Sequence, residues 1–443
     1  MKKYVHALSD RLFHHLKTDE ELAVSLHSEE SEFVRFNHSL VRQNTHVNQH
    51  EVTLVYSCNS RTYKFTRLLT LNLELDTAEL LSTLTQLRSQ LSLLDPSPKY
   101  SPLENHGTSE VLKKSIYPSA SEVLQEIAED FSDCDMAGLL TMGPVRQAAL
   151  NSKGQFHYFE NDQFFFDYSV YDGPRAAKGY YSEHEWNRGE FDAQARTVKN
   201  TLALLKRPLV KVKPGQHRTY LAPMAVSEIA TIFNWRALSR AAYEQGFSPF
   251  KKLVTGEKSL SSQFSLIENN QLGLNSHFNS LGELSPQYLP IIESGRMKNM
   301  LVSSATAKEY GIESNFADSG LWNNEAMRSM EIRAGTLDEN EVLSRLGTGL
   351  FLTNLHYINW SDPSSARITG MTRFACFWVE NGEIVGPIQD LRFDDSLFNI
   401  FGDQLVALTQ HRSTFVNTST YQKRSLGGMI VPGILLEKMN FTL

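Results

Sequence analysis

Residues 377–388 read FWVENGEIVGPI, and this stretch decides what we expect of the C-terminal half of the chain. Two runs of strand-forming residues flank Asn381-Gly382, a pair that supplies the two positive φ angles of a type I′ turn. We therefore expect residues 376–379 to pair with residues 383–385 as a β-hairpin whose turn residues have a structural role.

Hydrophobic spacing elsewhere predicts both strands and helices. Val, Leu and Phe among polar residues over 21–72 predict antiparallel strands with one wet face, turning at Asn59-Ser60. The aromatic-rich segment 135–172 predicts further strands. Helical spacing predicts helices over residues 4–17, 77–94, 120–131, 189–206, 224–245, about 325–330 and 338–346. Asp76 or Thr77 is expected to cap the second helix, and Thr336 or Asp338 the last.

The order of these elements favours an α+β fold over an alternating α/β fold. The chain has 443 residues, which favours two domains. Proline and basic residues place the boundary near 207–220. We expect an N-terminal mixed α/β domain with an antiparallel sheet over 1–215 and a C-terminal β-rich domain over 216–443. Three prolines within 95–102 predict a loop inside the first domain.

Charge and composition weigh against several classes of protein. The chain has 43 basic and 50 acidic residues, a net charge of -7, so no basic field for phosphates is present and no nucleic acid is expected. Three cysteines, Cys58, Cys134 and Cys376, lie far apart, which favours a reducing compartment. No apolar run approaches the roughly 20 residues of a membrane span, and no signal-like apolar segment follows the N-terminal lysines. We expect a cytoplasmic protein without membrane contact.

His184-Glu185 is the one pair that suggests a zinc-protease helix, and it does not fit. Such a helix needs a second histidine one turn later so that both imidazoles meet one zinc. Arg188, a cation, stands in that position. We expect a surface loop that leads into the helix at 189–206.

Two other segments each allow more than one interpretation. The aromatic residues of 156–168 are interleaved with Glu160, Asp162 and Asp167, a charge that suits a core or a subunit contact better than base stacking. The glycines of LGGMIVPG at 426–433 predict a sheet edge where backbone approaches backbone. That edge fits a groove for an extended peptide, by strand addition, as well as it fits a tight packing corner.

Three C-terminal segments resemble the PmbA/TldD family of peptide-maturation proteins. They are DENEVLSRLGTGLFLT at 338–353, RITG at 367–370 and the turn ENGE at 380–383. A weaker similarity, in the order of helix and strands, extends over the N-terminal half. Residues 59–61 lack the glycines that the family typically has there, and residues 370–375 depart from its small-residue motif.

The resemblance implies which branch of the family this is. One branch has a zinc-binding helix of His-Glu-x-x-x-His type, and the PmbA/TldE-like branch lacks it. Here Pro223 and Met224 stand at the His-Glu positions and Glu228 at that of the second histidine, and residues 411–431 contain no cysteine. The resemblance therefore implies no catalytic, cofactor-binding or metal-binding residue in this chain, and we expect Cys376 to be a buried structural thiol.

The resemblance also implies a role and partners. The chain is similar to the metal-free subunit of a TldD/TldE-type metalloprotease in peptide maturation or degradation. A TldD-like partner subunit would supply zinc, its ligands and the general base, and this chain would shape the chamber for extended or unfolded peptides. In isolation a homodimer is expected, because C2 pairing is the commonest symmetric solution.

Two other classes of function remain open from the sequence. An autonomous hydrolase with an unrecognised site would show metal-dependent or serine-directed activity as a single chain. A non-enzymatic binding protein, such as the modulator of DNA gyrase that one family name suggests, would show salt-sensitive binding to DNA or gyrase. A neighbouring reading frame with the His-Glu-x-x-x-His motif would favour the subunit hypothesis.

Overall fold

The computed structural model describes residues 1–97, 100–318 and 325–442, and its N-terminal half forms a seven-stranded sheet. The strand order is β3-β2-β1-β5-β6-β4, with β7 also paired to β6. Its strands are β1 (Glu20–Asn37), β2 (Leu40–Cys58), β3 (Arg61–Leu68), β4 (Thr108–Lys113), β5 (Asp135–Asn151), β6 (Phe156–Asp172) and β7 (Arg175–Tyr181). The predicted strands and the turn at Asn59-Ser60, both with positive φ, are confirmed.

Four helices cover one face of this sheet. They are α1 (Lys2–Phe13), α2 (Leu73–Gln90), α3 (Ala120–Asp130) and α4 (Arg188–Leu204). Side chains alternate along a strand, and the even-numbered residues of β6, among them Phe164 and Phe166, pack under these helices. The odd-numbered Phe159 and Phe165 pack against the C-terminal half instead. The aromatic segment is therefore core, as predicted.

The C-terminal half forms an eleven-stranded sheet that closes on itself. The order is β11-β10-β9-β12-β18-β16-β14-β13-β8, β8 pairs also with β18, and β15 and β17 pair with β14 and β18. The strands are β8 (Gly215–Leu221), β9 (Leu266–Asn269), β10 (Tyr288–Glu293), β11 (Arg296–Met297), β12 (Ser329–Ile332), β13 (Gly349–Asp362), β14 (Arg367–Glu380), β15 (Glu383–Pro387), β16 (Arg392–Ser396), β17 (Leu405–Val416) and β18 (Gly428–Phe441).

Short helices complete this half. They are α5 (Pro223–Ala230), α6 (Arg240–Glu244), α7 (Lys251–Val254), α8 (Ser304–Tyr310) and α9 (Val342–Leu346). Asp338 caps the turn before α9, as predicted. The α+β class is confirmed, and the domain limits 1–215 and 216–443 remain a prediction. No helix in the described ranges is long and apolar enough to cross a membrane.

The hairpin at 376–385 forms as predicted. Val379 pairs with Ile384 and Glu380 with Glu383. Asn381 and Gly382 have φ of 50° and 82°, the positive values of a type I′ turn. The sequence of the turn is thus explained by its conformation.

The helix predicted over 224–245 is wrong in its extent. Helix α5 ends at Ala230, and a short 3-10 turn ends at Asn234. The Asn234 side chain accepts from the Met327 amide (2.8 Å) and donates to the Met327 carbonyl (3.0 Å). Arg236 then has a φ of 76°, outside the helical region, and α6 begins only after Ser239. A contact distant in sequence ends the helix.

Three further predictions are corrected. The helix predicted over about 325–330 is wrong: its last residues belong to strand β12, because the Glu268 carboxylate accepts from the Ser329 amide and β9 and β18 pair on either side. Helix α2 is capped by Asn72, whereas Asp76 accepts from the Thr70 and Leu71 amides. The Gly427-Gly428 segment begins a strand bonded on both sides, so it is no sheet edge. In the proline-rich loop, residues 98 and 99 lie outside the described residues.

The segment between β17 and β18 anchors one half of the chain in the other. Arg424, 1% exposed, donates to the Ser31 hydroxyl (2.7 Å) and to the carbonyls of Gly143 and Gln163 (3.0 Å each). Its backbone amide donates to the Glu29 carboxylate (2.9 Å). Burial lowers the pKa of Arg424 to about 10. The guanidinium thus satisfies carbonyls that face away from the helices.

Arg424→Ala should lower the free energy of unfolding by about 2–4 kcal/mol, because two buried carbonyls lose their donor. Lys423→Ala, which removes a half-exposed ion pair with Glu51, should change it by less than about 1 kcal/mol. Urea unfolding followed by tryptophan fluorescence measures both. Equal effects would contradict this role of Arg424.

The burial of His157 leads to a prediction of how stability depends on pH. The ring is fully buried, bonded to the Ser109 hydroxyl (2.7 Å) and stacked on Phe278. Burial lowers the pKa of His157 from its ordinary value of 6.5 to about 4. As pH falls below 6.5, the unfolded chain binds a proton at this ring while the folded protein does not. The stabilising contribution of the neutral ring to the free energy of unfolding is therefore complete above pH 6.5 and is lost as pH falls towards about 4, by roughly 1.4 kcal/mol per pH unit.

His157→Gln should remove this part of the acid sensitivity. The exposed His14 offers the matched variant, His14→Gln, which should leave the sensitivity unchanged. Urea unfolding at a series of pH values separates the two. The interpretation fails if the two variants have the same pH dependence.

Candidate functional site

A cleft runs between the two halves of the chain. Its walls are β7, the start of α5 and the last residues of β17. It consists of two adjoining cavities of about 430 and 490 Å³ and a side pocket of about 140 Å³. The two large cavities share Lys178, Tyr180 and Phe415, and the side pocket shares Glu183 and Thr414 with the second. A cleft of this size suits a small molecule or a short length of peptide.

Helix α5 begins at the cleft because Pro223 occupies its first position, where a missing N–H costs nothing. Ala225, Val226 and Ile229 pack into the core of the C-terminal sheet. Met224 and Glu228 lie on the opposite side and line the 430 Å³ cavity. The amphipathic pattern of eight residues thus turns this pair towards the cleft.

Glu228 is an unusual carboxylate. It reaches solvent in the cavity, and no described residue donates a hydrogen bond to its side chain. Burial raises its pKa, while Lys178 acts in the opposite direction. Lys178 itself pairs with Asp167 and lies 5.9 Å from the centre of the Phe374 ring. The Lys178 ammonium therefore interacts with two carboxylates, those of Asp167 and Glu228.

The outer edge of β17 faces the cleft. Opposite residues of an antiparallel pair turn their backbone groups alternately inwards and outwards. The Asn417 amide donates to the Gly427 carbonyl, towards β18. The backbone of Val416 therefore faces away from β18, and its amide donates to the Tyr180 hydroxyl (3.0 Å). That hydroxyl donates to the Val416 carbonyl (3.3 Å). By the same alternation Thr414 presents its backbone groups to the cleft.

The residues that the sequence singled out are now located. Pro223, Met224 and Glu228 lie together in the first turns of α5. No group of three or more His, Cys, Asp or Glu that could hold a metal exists among residues 1–97, 100–318 and 325–442. Glu228 with one thioether is too few ligands for zinc.

The other candidates have structural roles. His184 lies in the loop before α4, as predicted, and its carbonyl accepts from the Ile116 amide (3.0 Å). Arg188 pairs with Asp130 (2.8 Å). Cys376 is buried, as predicted, and burial raises its pKa to about 11. A thiol of that pKa is a poor nucleophile at neutral pH.

Sequence reasoning missed the residues that give the cleft its polarity. Glu183, Gln163 and the Tyr180–Val416 contact belong to segments far apart in the chain. No local pattern links them. The alternation of β6 alone could have placed Gln163 on the face away from the helices.

Comparison with known proteins identifies the C-terminal half. The family model described as the PmbA/TldA metallopeptidase C-terminal domain matches residues 214–443. No curated protein sequence matches the chain.

Solved structures share the fold over the whole chain. A proposed modulator of DNA gyrase from Thermotoga maritima has a TM-score of 0.78 and 16% identity, covering 99% of this chain and 100% of that one. TldE from Thermococcus kodakarensis has a TM-score of 0.79 and 14% identity, with the same coverage. A proposed modulator of DNA gyrase from Bacteroides thetaiotaomicron has a TM-score of 0.76 and 13% identity, covering 100% and 98%. At such identities the likeness shows the fold alone.

Tyr180→Phe should expose the outer edge of β17. The variant removes the partner of the Val416 amide, a hydrogen bond of about 1 kcal/mol, so that amide should exchange roughly fivefold faster. Hydrogen exchange of the peptide that contains Val416 measures the change. Tyr357→Phe, at a side chain that is 81% exposed, is the control. Unchanged exchange in Tyr180→Phe would show that the hydroxyl does not hold this edge.

Proposed function

This chain belongs to the PmbA/TldD family, and we propose that it is the metal-free, PmbA/TldE-like subunit of a TldD/TldE-type metalloprotease. A TldD-like partner supplies the zinc, its ligands and the general base. This chain shapes the chamber that admits extended or unfolded peptides for maturation or degradation in the cytoplasm. Alone, it forms a homodimer.

Helix α5 is the observation that carries this proposal. It faces a cleft large enough for a peptide, yet it presents Pro223, Met224 and Glu228 where the zinc helix of the other branch has His, Glu and His. Such a cleft can hold a substrate and cannot activate a water on its own zinc. A division of labour between two chains accounts for both features.

The outer edge of β17 supports a peptide as the occupant. Backbone groups that face a cleft can accept an added strand, whose hydrogen bonds do not depend on side-chain identity. Thr414 offers such groups beside the 490 Å³ cavity, and Tyr180 ends the track at Val416. We propose that a peptide lies along β17 in an extended conformation.

Co-expression with a TldD-like chain tests the proposal. Stoichiometric zinc should be found in the partner and in the complex, and the complex should cleave an unfolded peptide faster than either chain alone. Metal analysis and a cleavage assay on each chain and on the pair give the answer. Zinc bound by this chain alone, together with cleavage by it unaided, would contradict the proposal.

A matched pair of variants separates binding from folding in that assay. Thr414→Pro places a ring at the outer edge of β17 and should reduce cleavage by the complex, because proline cannot donate to an added strand. Tyr421→Pro, in the segment after β17 at a side chain that is 85% exposed and lines none of the three cavities, is the control. If both variants reduce cleavage equally, the edge of β17 is not the peptide track.

A further inference from the structure

The side pocket of the cleft holds polar groups that have no hydrogen-bond partner in the described part of the chain. Its lining includes Ser115, Asn161, Gln163, Ser182 and Glu183 from the N-terminal half and Thr414 from β17. Its volume of about 140 Å³ is several times the roughly 30 Å³ of one water, enough for a small organic group.

Three of these side chains are already used. The Ser182 hydroxyl donates to the Phe164 carbonyl (3.0 Å), and the Ser115 hydroxyl to the Asp162 carbonyl (2.5 Å). The Asn161 amide donates to the Gly273 carbonyl (3.3 Å). These bonds hold the walls of the pocket, and the hydroxyl oxygens of Ser115 and Ser182 can still accept a hydrogen bond from a ligand.

Gln163 and Glu183 are the exceptions. Gln163 is only 5% exposed, and its side-chain nitrogen has no hydrogen-bond partner among the residues that the structure describes. A buried amide donor without a partner is costly, and it calls for an acceptor in the pocket. Glu183 has no donor to its carboxylate among the described residues, and it lines both the pocket and the adjoining cavity.

The charge around Glu183 is one-sided. Burial raises its pKa, and the neighbouring Glu190 adds to this, while His411 acts in the opposite direction. Glu190 has a separate reason for its place, because it lies in the first turn of α4. Glu183 has none.

Two of the cations nearby are paired with other carboxylates. Lys178 pairs with Asp167, and Arg412 with Glu331. Lys113, beside the loop that closes the pocket, donates to the Leu272 carbonyl (3.4 Å). At Glu183 itself a positively charged ligand would therefore find a carboxylate with no ion-pair partner among the described residues.

We propose that the side pocket binds a primary ammonium group of an extended peptide, with Glu183 as its ion-pair partner and Gln163 as a donor to a neighbouring peptide carbonyl. The ammonium belongs either to the N-terminus of the peptide or to a lysine side chain. This proposal rests on the peptide-binding role proposed above. It gives a preference for cationic peptides to a cleft that would otherwise recognise only the peptide backbone.

Binding of matched peptides to the full-length chain tests it. Three short peptides of Ala, Gly and Ser carry a C-terminal fluorophore: one with a free N-terminus, one N-acetylated, and one N-acetylated with a single lysine. Fluorescence anisotropy gives their affinities. At least one peptide with an ammonium group should bind roughly tenfold more tightly than the acetylated peptide without lysine, and which one does so identifies the source.

Variants assign the effect to Glu183. Glu183→Gln should weaken the ammonium-bearing peptide roughly tenfold and leave the acetylated, lysine-free peptide unchanged. Glu185→Gln, the same change two residues away outside the cleft, should have no effect on any peptide. Gln163→Met should weaken all three peptides alike, since each offers a carbonyl. If this buried variant does not fold, the Glu183 and Glu185 pair still decides.

The outcomes separate this proposal from the one that precedes it. Equal affinity for all three peptides would overturn the ammonium site and leave the peptide cleft in place. Equal effects of Glu183→Gln and Glu185→Gln would also overturn it. Failure of every peptide to bind the wild-type chain would contradict both proposals.

Discussion

The sheet of the C-terminal half depends on how closely its neighbours approach the backbone of β18. A Cβ atom at Gly428 would lie 2.4 Å from the Phe415 carbonyl oxygen, and one at Gly433 would lie 2.2 Å from the Tyr220 hydroxyl. Only glycine leaves room for both neighbours, so β18 can bond to β17 on one side and to β12 and β8 on the other. This pairing fixes β17 with its outer edge towards the cleft.

The polarity of the cleft follows from the alternation of β6. Its odd-numbered residues face the C-terminal half, and they run from Phe159 through Asn161 and Gln163 to Phe165. The two aromatic residues form apolar contacts at either end, and the two amides leave a polar gap between them. Arg424 bonds to a carbonyl in this gap, and the side pocket occupies the rest. A sheet with one face under helices therefore has a second face that is only partly apolar.

Local sequence predicted the elements whose causes are local. Asn381-Gly382 specifies its own turn, and α4 follows from hydrophobic spacing. The prediction of one helix over 224–245 was wrong because Asn234 forms hydrogen bonds with Met327. The prediction of a helix near 325–330 was wrong because the Glu268 carboxylate binds the backbone of β12. Neither partner is near in sequence, so no window of the chain contains the information.

The site divides in the same way. Pro223, Met224 and Glu228 share one helix, so the resemblance could place them together. The unpaired state of Glu183 could not be foreseen, because it depends on where the cations of three other segments find their partners. Lys178, Lys113 and Arg412 each bond to a group that only the folded chain brings near.

The charge of the cleft and the composition of α5 favour the same division of labour. A carboxylate that lacks further ligands holds a metal poorly, but it pairs well with an ammonium group, which needs no fixed coordination geometry. Glu228 and Glu183 are such carboxylates, one on each side of the cleft. In a two-chain enzyme, binding energy from groups remote from the reacting bond positions a substrate for chemistry on the partner. Carboxylates beside a strand edge are well suited to the positioning role that we propose.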